Sequence, residues 1–112
     1  MSKDNEDLMT TIMNLIVEAG SAKSYAMEAI HFAKNGELSQ AQESLNQAEQ
    51  AISAAHHAQT GLIGRAATGE KIEINLFMVH AQDHVMTAIL AKDLAIEIVD
   101  LYNKISLNNQ VD

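Results

Sequence analysis

Residues 38–66 read LSQAQESLNQAEQAISAAHHAQTGLIGRA, and apolar side chains recur along them at alternating steps of three and four residues. This spacing places an apolar stripe along one side of an α-helix and follows the heptad pattern of helices that pack side by side. The stripe consists of Leu38, Ala41, Leu45, Ala48, Ile52, Ala55, Gln59, Leu62 and Ala66. Gln59 is its one polar member, so its amide either bonds toward a neighbouring helix or subunit or sets the register of the bundle.

Two further segments show helical periodicity, one on each side of this helix. The first spans residues 7–34 and ends at Asn35-Gly36, a pair typical of a helix C-terminus. Its apolar positions are Met9, Ile12, Ile16, Ala19, Ala22, Ala26, Ala29 and Ala33. The third helix is predicted over 75–107, after a loop around residues 67–70. The short first connection requires an antiparallel neighbour, so we predict an all-α, up-down-up three-helix bundle forming a single domain over 1–112, with frayed ends.

The third segment is apolar on almost every side. One side carries Ala91, Leu94, Ile98, Leu101 and Ile105, and another carries Ala81, Val85, Ala88, Ile96 and Val99. Only Gln82, Asp93 and Asp100 form a narrow polar strip. Because two companion helices cover only part of this circumference, we expect the remainder to be buried against other copies of the chain.

Composition excludes several classes of protein. The chain has 112 residues, seven Lys and Arg against fifteen Asp and Glu, a net charge of −8 and no Cys. An acidic chain of this kind is not expected to bind nucleic acid, and without cysteine it forms neither disulfides nor thiolate metal sites. There is no apolar signal-peptide core and no apolar run long enough to span a membrane, so we expect a cytoplasmic protein that is not inserted in a membrane.

The most informative polar residues lie within residues 79–87, VHAQDHVMT. On a helix, His80, Asp83, His84 and Thr87 share one face, and that face continues into the apolar side that contains Leu94. Three interpretations are open. The side chains are hydrogen-bonded structural groups, or His80 and His84 bind a metal with Asp83, or one imidazole accepts a phosphoryl group.

The sequence resembles the enzyme IIA component of the lactose/cellobiose/chitobiose phosphotransferase system over about residues 8–107. The resemblance is carried by HAQDHVMT at 80–87, HHAQTGL at 56–62 and the NGE turn at 35–37. It implies a homotrimer of three-helix bundles, nine helices in all. It also implies that His80 takes a phosphoryl group from HPr and passes it to a cysteine of enzyme IIB, and that Asp83 of each chain binds a shared divalent ion, usually magnesium, on the threefold axis.

Charge considerations agree with that implication. A phosphoryl group adds about −1.5 to −2 charges one helical turn from Asp83, and a cation held by oxygen ligands offsets the repulsion. His84, Thr87 and Gln59 are then candidates for supporting roles, and no organic cofactor is expected. The predicted function is a phosphocarrier in bacterial uptake of a β-linked disaccharide of the cellobiose, chitobiose or lactose class. The alternative is a non-catalytic helical trimer or adaptor whose His and Asp residues bind metal or fix register.

Overall fold

A computed structural model describes residues 3–110 of the chain, with side chains described for 7–109. These residues form three helices, α1 (Lys3–Lys34), α2 (Leu38–Ala67) and α3 (Leu76–Gln110), and no strand. The predicted all-α three-helix architecture is thereby confirmed. Helix α1 begins at residue 3 rather than 7, and α3 ends at residue 110 rather than 107. Both extensions consist of polar residues, which continue a helix without adding an apolar period to the sequence. Fraying was expected from residue 108 onward, but 108–110 are helical; the expectation for 1–2 and 111–112 lies outside the described residues.

Glycine in a left-handed conformation ends each of the first two helices. Gly36 has φ of 82° and Gly69 has φ of 96°, values that other residues rarely adopt. At the first turn, the amide of Gly36 donates to Ala33 O over 3.1 Å and the amide of Glu37 donates to Phe32 O over 2.8 Å. This paired arrangement satisfies the last carbonyls of α1 and reverses the chain.

Asn75 fixes the start of α3. Its side-chain oxygen accepts a hydrogen bond from the amide of Met78 over 2.9 Å, and its carbonyl accepts one from Val79 over 3.0 Å. A side chain that accepts from the third helical amide is the usual cap of a helix N-terminus. Because the cap fixes Leu76 as the first residue of α3, His80 lies in the second turn of that helix.

Helix α1 packs against both α2 and α3, which contact each other less extensively. Alanine fills most of the core along α1, which lets the helix axes approach closely. The apolar positions predicted on α1 and α2 are buried or half-buried except Ala66, which is exposed, whereas Leu15 is buried without having been predicted. On α3, Ile96 was grouped on one side with Ala81, Val85, Ala88 and Val99. Those four residues are buried, but Ile96 is exposed and Ala95 is buried instead.

Large apolar residues remain exposed along α3. Residues Leu90, Leu94, Leu101 and Ile105 are each about half exposed, and Asp83 is also exposed. At 100° per residue these five positions fall within an arc of about 60°. We call them the α3 outer stripe. The stripe shows that α1 and α2 leave one side of α3 uncovered within a single chain.

Candidate functional site

His80, Asp83, His84 and Thr87 all project from one side of α3, as predicted. The side chains of His80, Asp83 and Thr87 are exposed, and His84 is half-buried. The ring centroids of His80 and His84 lie 5.3 Å apart, with the ring planes tilted by 31°. The imidazole of His80 is therefore open to a docking protein from outside the bundle.

His84 is held against α1. The Nζ atom of Lys23 lies 2.6 Å from Nδ1 of His84, and a Cβ atom at Gly20 would lie 3.6 Å from Nε2. Burial of the ring lowers the pKa of His84, and the charges of Lys23 and His80 lower that pKa further, while Asp83 acts in the opposite direction. The surroundings thus favour a neutral imidazole at this position.

The two other candidate supporting residues bond elsewhere than to His80. The hydroxyl of Thr87 donates to its own helix, to Asp83 O over 2.9 Å and to His84 O over 3.2 Å. Gln59 is buried, and its amide nitrogen donates to Oε1 of Gln82 in the same chain over 2.7 Å. Within one chain, Gln59 therefore joins α2 to α3 at Gln82, two residues along the helix from His80, and the role of Gln59 in the site stays a prediction.

Sequence reasoning gave no role in the site to two residues that contact it, Lys23 and Gln82. Gln82 lies in the strip with Asp93 and Asp100 and therefore reads as a solvated side chain. Lys23 lies on α1, and no local spacing relates it to residues on α3. Only the packing of the helices brings either residue to its partner.

The metal predicted at Asp83 requires more than one chain. Among the side chains of residues 7–109, no group of three His, Asp or Glu side chains converges on a common point. Asp83 supplies one exposed carboxylate, and carboxylate oxygen is the ligand type that magnesium prefers. The described part of a single chain therefore offers no metal-binding group at Asp83, and the shared metal stays a prediction.

A family model described as "PTS system, Lactose/Cellobiose specific IIA subunit" matches residues 10–103. The chain belongs to this family. It is 48% identical over 102 residues to the lichenan-specific phosphotransferase enzyme IIA component of Bacillus subtilis strain 168, covering 91% of this chain and 93% of that protein. It is 50% identical over 95 residues to the cellobiose-specific EIIA component of Lactococcus lactis subsp. lactis, covering 85% and 82%.

Solved structures agree with this assignment. The cellobiose-specific enzyme IIA of Bacillus anthracis matches with a TM-score of 0.87 and 45% identity, over 96% of this chain and 94% of that one. The IIA component in the IIA(chitobiose)–HPr complex from Escherichia coli matches with a TM-score of 0.73 and 34% identity, over 88% and 96%. This chain is thus a phosphotransferase system component that takes part in phosphoryl transfer, and the resemblance seen in the sequence is confirmed.

None of its helices within residues 3–110 has the length and hydropathy to cross a bilayer.

Proposed function

We propose that this chain accepts a phosphoryl group from HPr on His80 and passes it to a cysteine of enzyme IIB. The transfer would take place in the cytoplasm during uptake of a β-linked disaccharide. The observation that carries the proposal is the exposed imidazole of His80 beside the half-buried His84. The solved complex of the Escherichia coli relative with HPr supports HPr as donor. The names of the cellobiose, lichenan and chitobiose relatives support this class of sugar.

The transfer needs an accessible nucleophile more than an elaborate cavity. A lone pair on a ring nitrogen of His80 forms a bond to phosphorus, and the bond between phosphorus and the donor atom of HPr breaks with its electron pair. In the second step a sulfur of enzyme IIB attacks the same phosphorus, and the bond to His80 breaks. Both steps require in-line approach of partner atoms. An exposed ring on a rigid helix permits that approach from solvent, first by one protein and then by the other.

Phosphorylation of the purified chain tests the proposal. Incubation with phosphoenolpyruvate, enzyme I and HPr is expected to add one acid-labile phosphate per chain, measured by intact mass. Adding enzyme IIB without further donor is expected to remove it. A chain that stays unlabelled with active HPr would contradict the proposal and would favour the non-catalytic trimer or adaptor. Membership of the phosphotransferase family does not favour that alternative.

The proposal includes a homotrimer assembled through the α3 outer stripe. About half of each apolar side chain in the stripe is exposed in the single chain, so burying that half stabilises an assembly by roughly half of the 1.5–3 kcal/mol that full burial of a leucine contributes. Asp83 lies on the same arc, so the three copies would meet near the threefold axis of such an assembly. We propose that the three carboxylates there hold one divalent ion such as magnesium, a cation that prefers oxygen ligands. The bound ion would neutralise their mutual repulsion.

Replacing Asp83 with Leu tests the placement of the carboxylates. If three of them meet on an axis, Asp83→Leu removes the need for a cation, so the trimer is expected to persist and to become insensitive to chelators. Sedimentation with and without EDTA measures this. Asp100→Leu is the matched control, because Asp100 is an exposed α3 carboxylate whose contact is Lys104, over 3.5 Å. An Asp83→Leu chain that dissociates at neutral pH would contradict the axial position.

A further inference from the structure

Lys23 contacts the site from another helix. Its Nζ atom lies 2.6 Å from Nδ1 of His84, 61 positions along the chain. A lysine ammonium donates hydrogen bonds and accepts none, so Nδ1 must be the acceptor and the proton of the neutral ring must be on Nε2. This contact thus favours the tautomer of His84 that carries its proton on Nε2.

The other nitrogen of His84 is free to donate. In the part of the chain with described side chains, Nε2 makes no hydrogen bond, and no buried side-chain nitrogen lacks a partner, so solvent reaches Nε2. A Cβ atom at Gly20 would lie 3.6 Å from Nε2, an ordinary van der Waals contact, so Nε2 lies close to α1. The ring that carries this donor lies 5.3 Å from the ring of His80.

We propose that Lys23 is a positioning residue for phosphoryl transfer, which holds His84 in the tautomer whose Nε2–H donates to the phosphoryl group on His80. This inference rests on the proposed function. The phosphoryl group brings about −1.5 to −2 charges close to Asp83, in a chain whose net charge is −8. A donor polarised by a neighbouring cation offsets part of that charge, because charge-assisted hydrogen bonds are stronger than neutral ones.

The tautomer is measured directly. In long-range proton–nitrogen correlation spectra recorded above the ordinary histidine pKa of about 6.5, His84 of the unaltered chain is expected to show a proton on Nε2 alone. Lys23→Met is expected to give a mixture of the two tautomers, and Lys23→Arg, which keeps a donor, is expected to restore the Nε2 form. Lys34→Met is the matched control, since it removes the same charge from the same helix about 16 Å away.

Kinetics distinguish action through His84 from a general charge effect. Lys23→Met is expected to slow labelling of His80 about tenfold, while Lys23→Arg and Lys34→Met stay within about twofold of the unaltered chain. In a His84→Ala background, Lys23→Met is expected to cause no further slowing, because the residue through which it acts is gone. Circular dichroism verifies that each variant keeps its helices.

Three results would overturn the inference. One is a His84 tautomer that does not change in Lys23→Met. Another is a Lys23→Met effect that is equally large with and without His84, since Lys23 would then act independently of that ring. The last is an unaltered chain that takes no phosphate at all, which overturns the proposed function as well and is recognised because it appears without any substitution.

Discussion

Replacing His80 with Gln is expected to reduce phosphorylation of the chain by more than about a thousandfold. The amide nitrogen of glutamine is not nucleophilic, because its lone pair is delocalised into the carbonyl group. Its size and polarity still suit an exposed helical position, so the fold should not change. Intact mass after incubation with phosphoenolpyruvate, enzyme I and HPr measures the loss, and unfolding temperature shows whether the helices are retained.

His57→Gln is the control for that experiment. His57 is another exposed histidine, on α2, and its replacement is expected to leave labelling unchanged. Peptide mapping of the labelled chain adds a second check, because the proposed acceptor predicts phosphate on the peptide that contains His80. Full labelling of the His80→Gln chain, on His84 or elsewhere, would contradict the assignment.

Introducing two charges on the α3 outer stripe, Leu94→Asp together with Leu101→Asp, is expected to convert the proposed trimer to monomers of about 12 kDa. Each leucine is more than half exposed in the single chain, so the substitutions should not disturb its own core. In the proposed trimer they would remove roughly half of the 1.5–3 kcal/mol that full burial of a leucine contributes, for each side chain, and would bring like charges together around an axis. Light scattering gives the mass, and circular dichroism gives the helix content.

Val17→Asp is the matched control for the stripe. Val17 is 60% exposed, and at 100° per residue it lies on the side of α1 opposite the buried Ala19 and Ala26. This change is expected to leave the mass unchanged. If Val17→Asp yields monomers while the double variant remains trimeric, the contact between copies uses α1, and the α3 interface is wrong.

Prediction from sequence succeeded where local periodicity was strong. In α2, alternating steps of three and four residues pointed to the buried side correctly from Ala41 to Leu62, because only one side of that helix is apolar. In α3, helical periodicity grouped Ile96 with residues that are buried, although Ile96 is exposed, and it missed the buried Ala95. A helix that is apolar on nearly every side has no contrast between sides, so its sequence does not show which side meets the other helices.

Sequence alone determined the three-helix architecture, the turns at Gly36 and Gly69, and the face of α3 that His80 and Asp83 share. Helical spacing and turn chemistry depend on neighbouring residues, so a sequence shows them directly. The contact of Lys23 with His84 and the pairing of Gln59 with Gln82 were decided by tertiary structure alone. These contacts join residues on different helices, and they form only when those helices have the correct rotation and relative height. Local periodicity carries no information about either quantity.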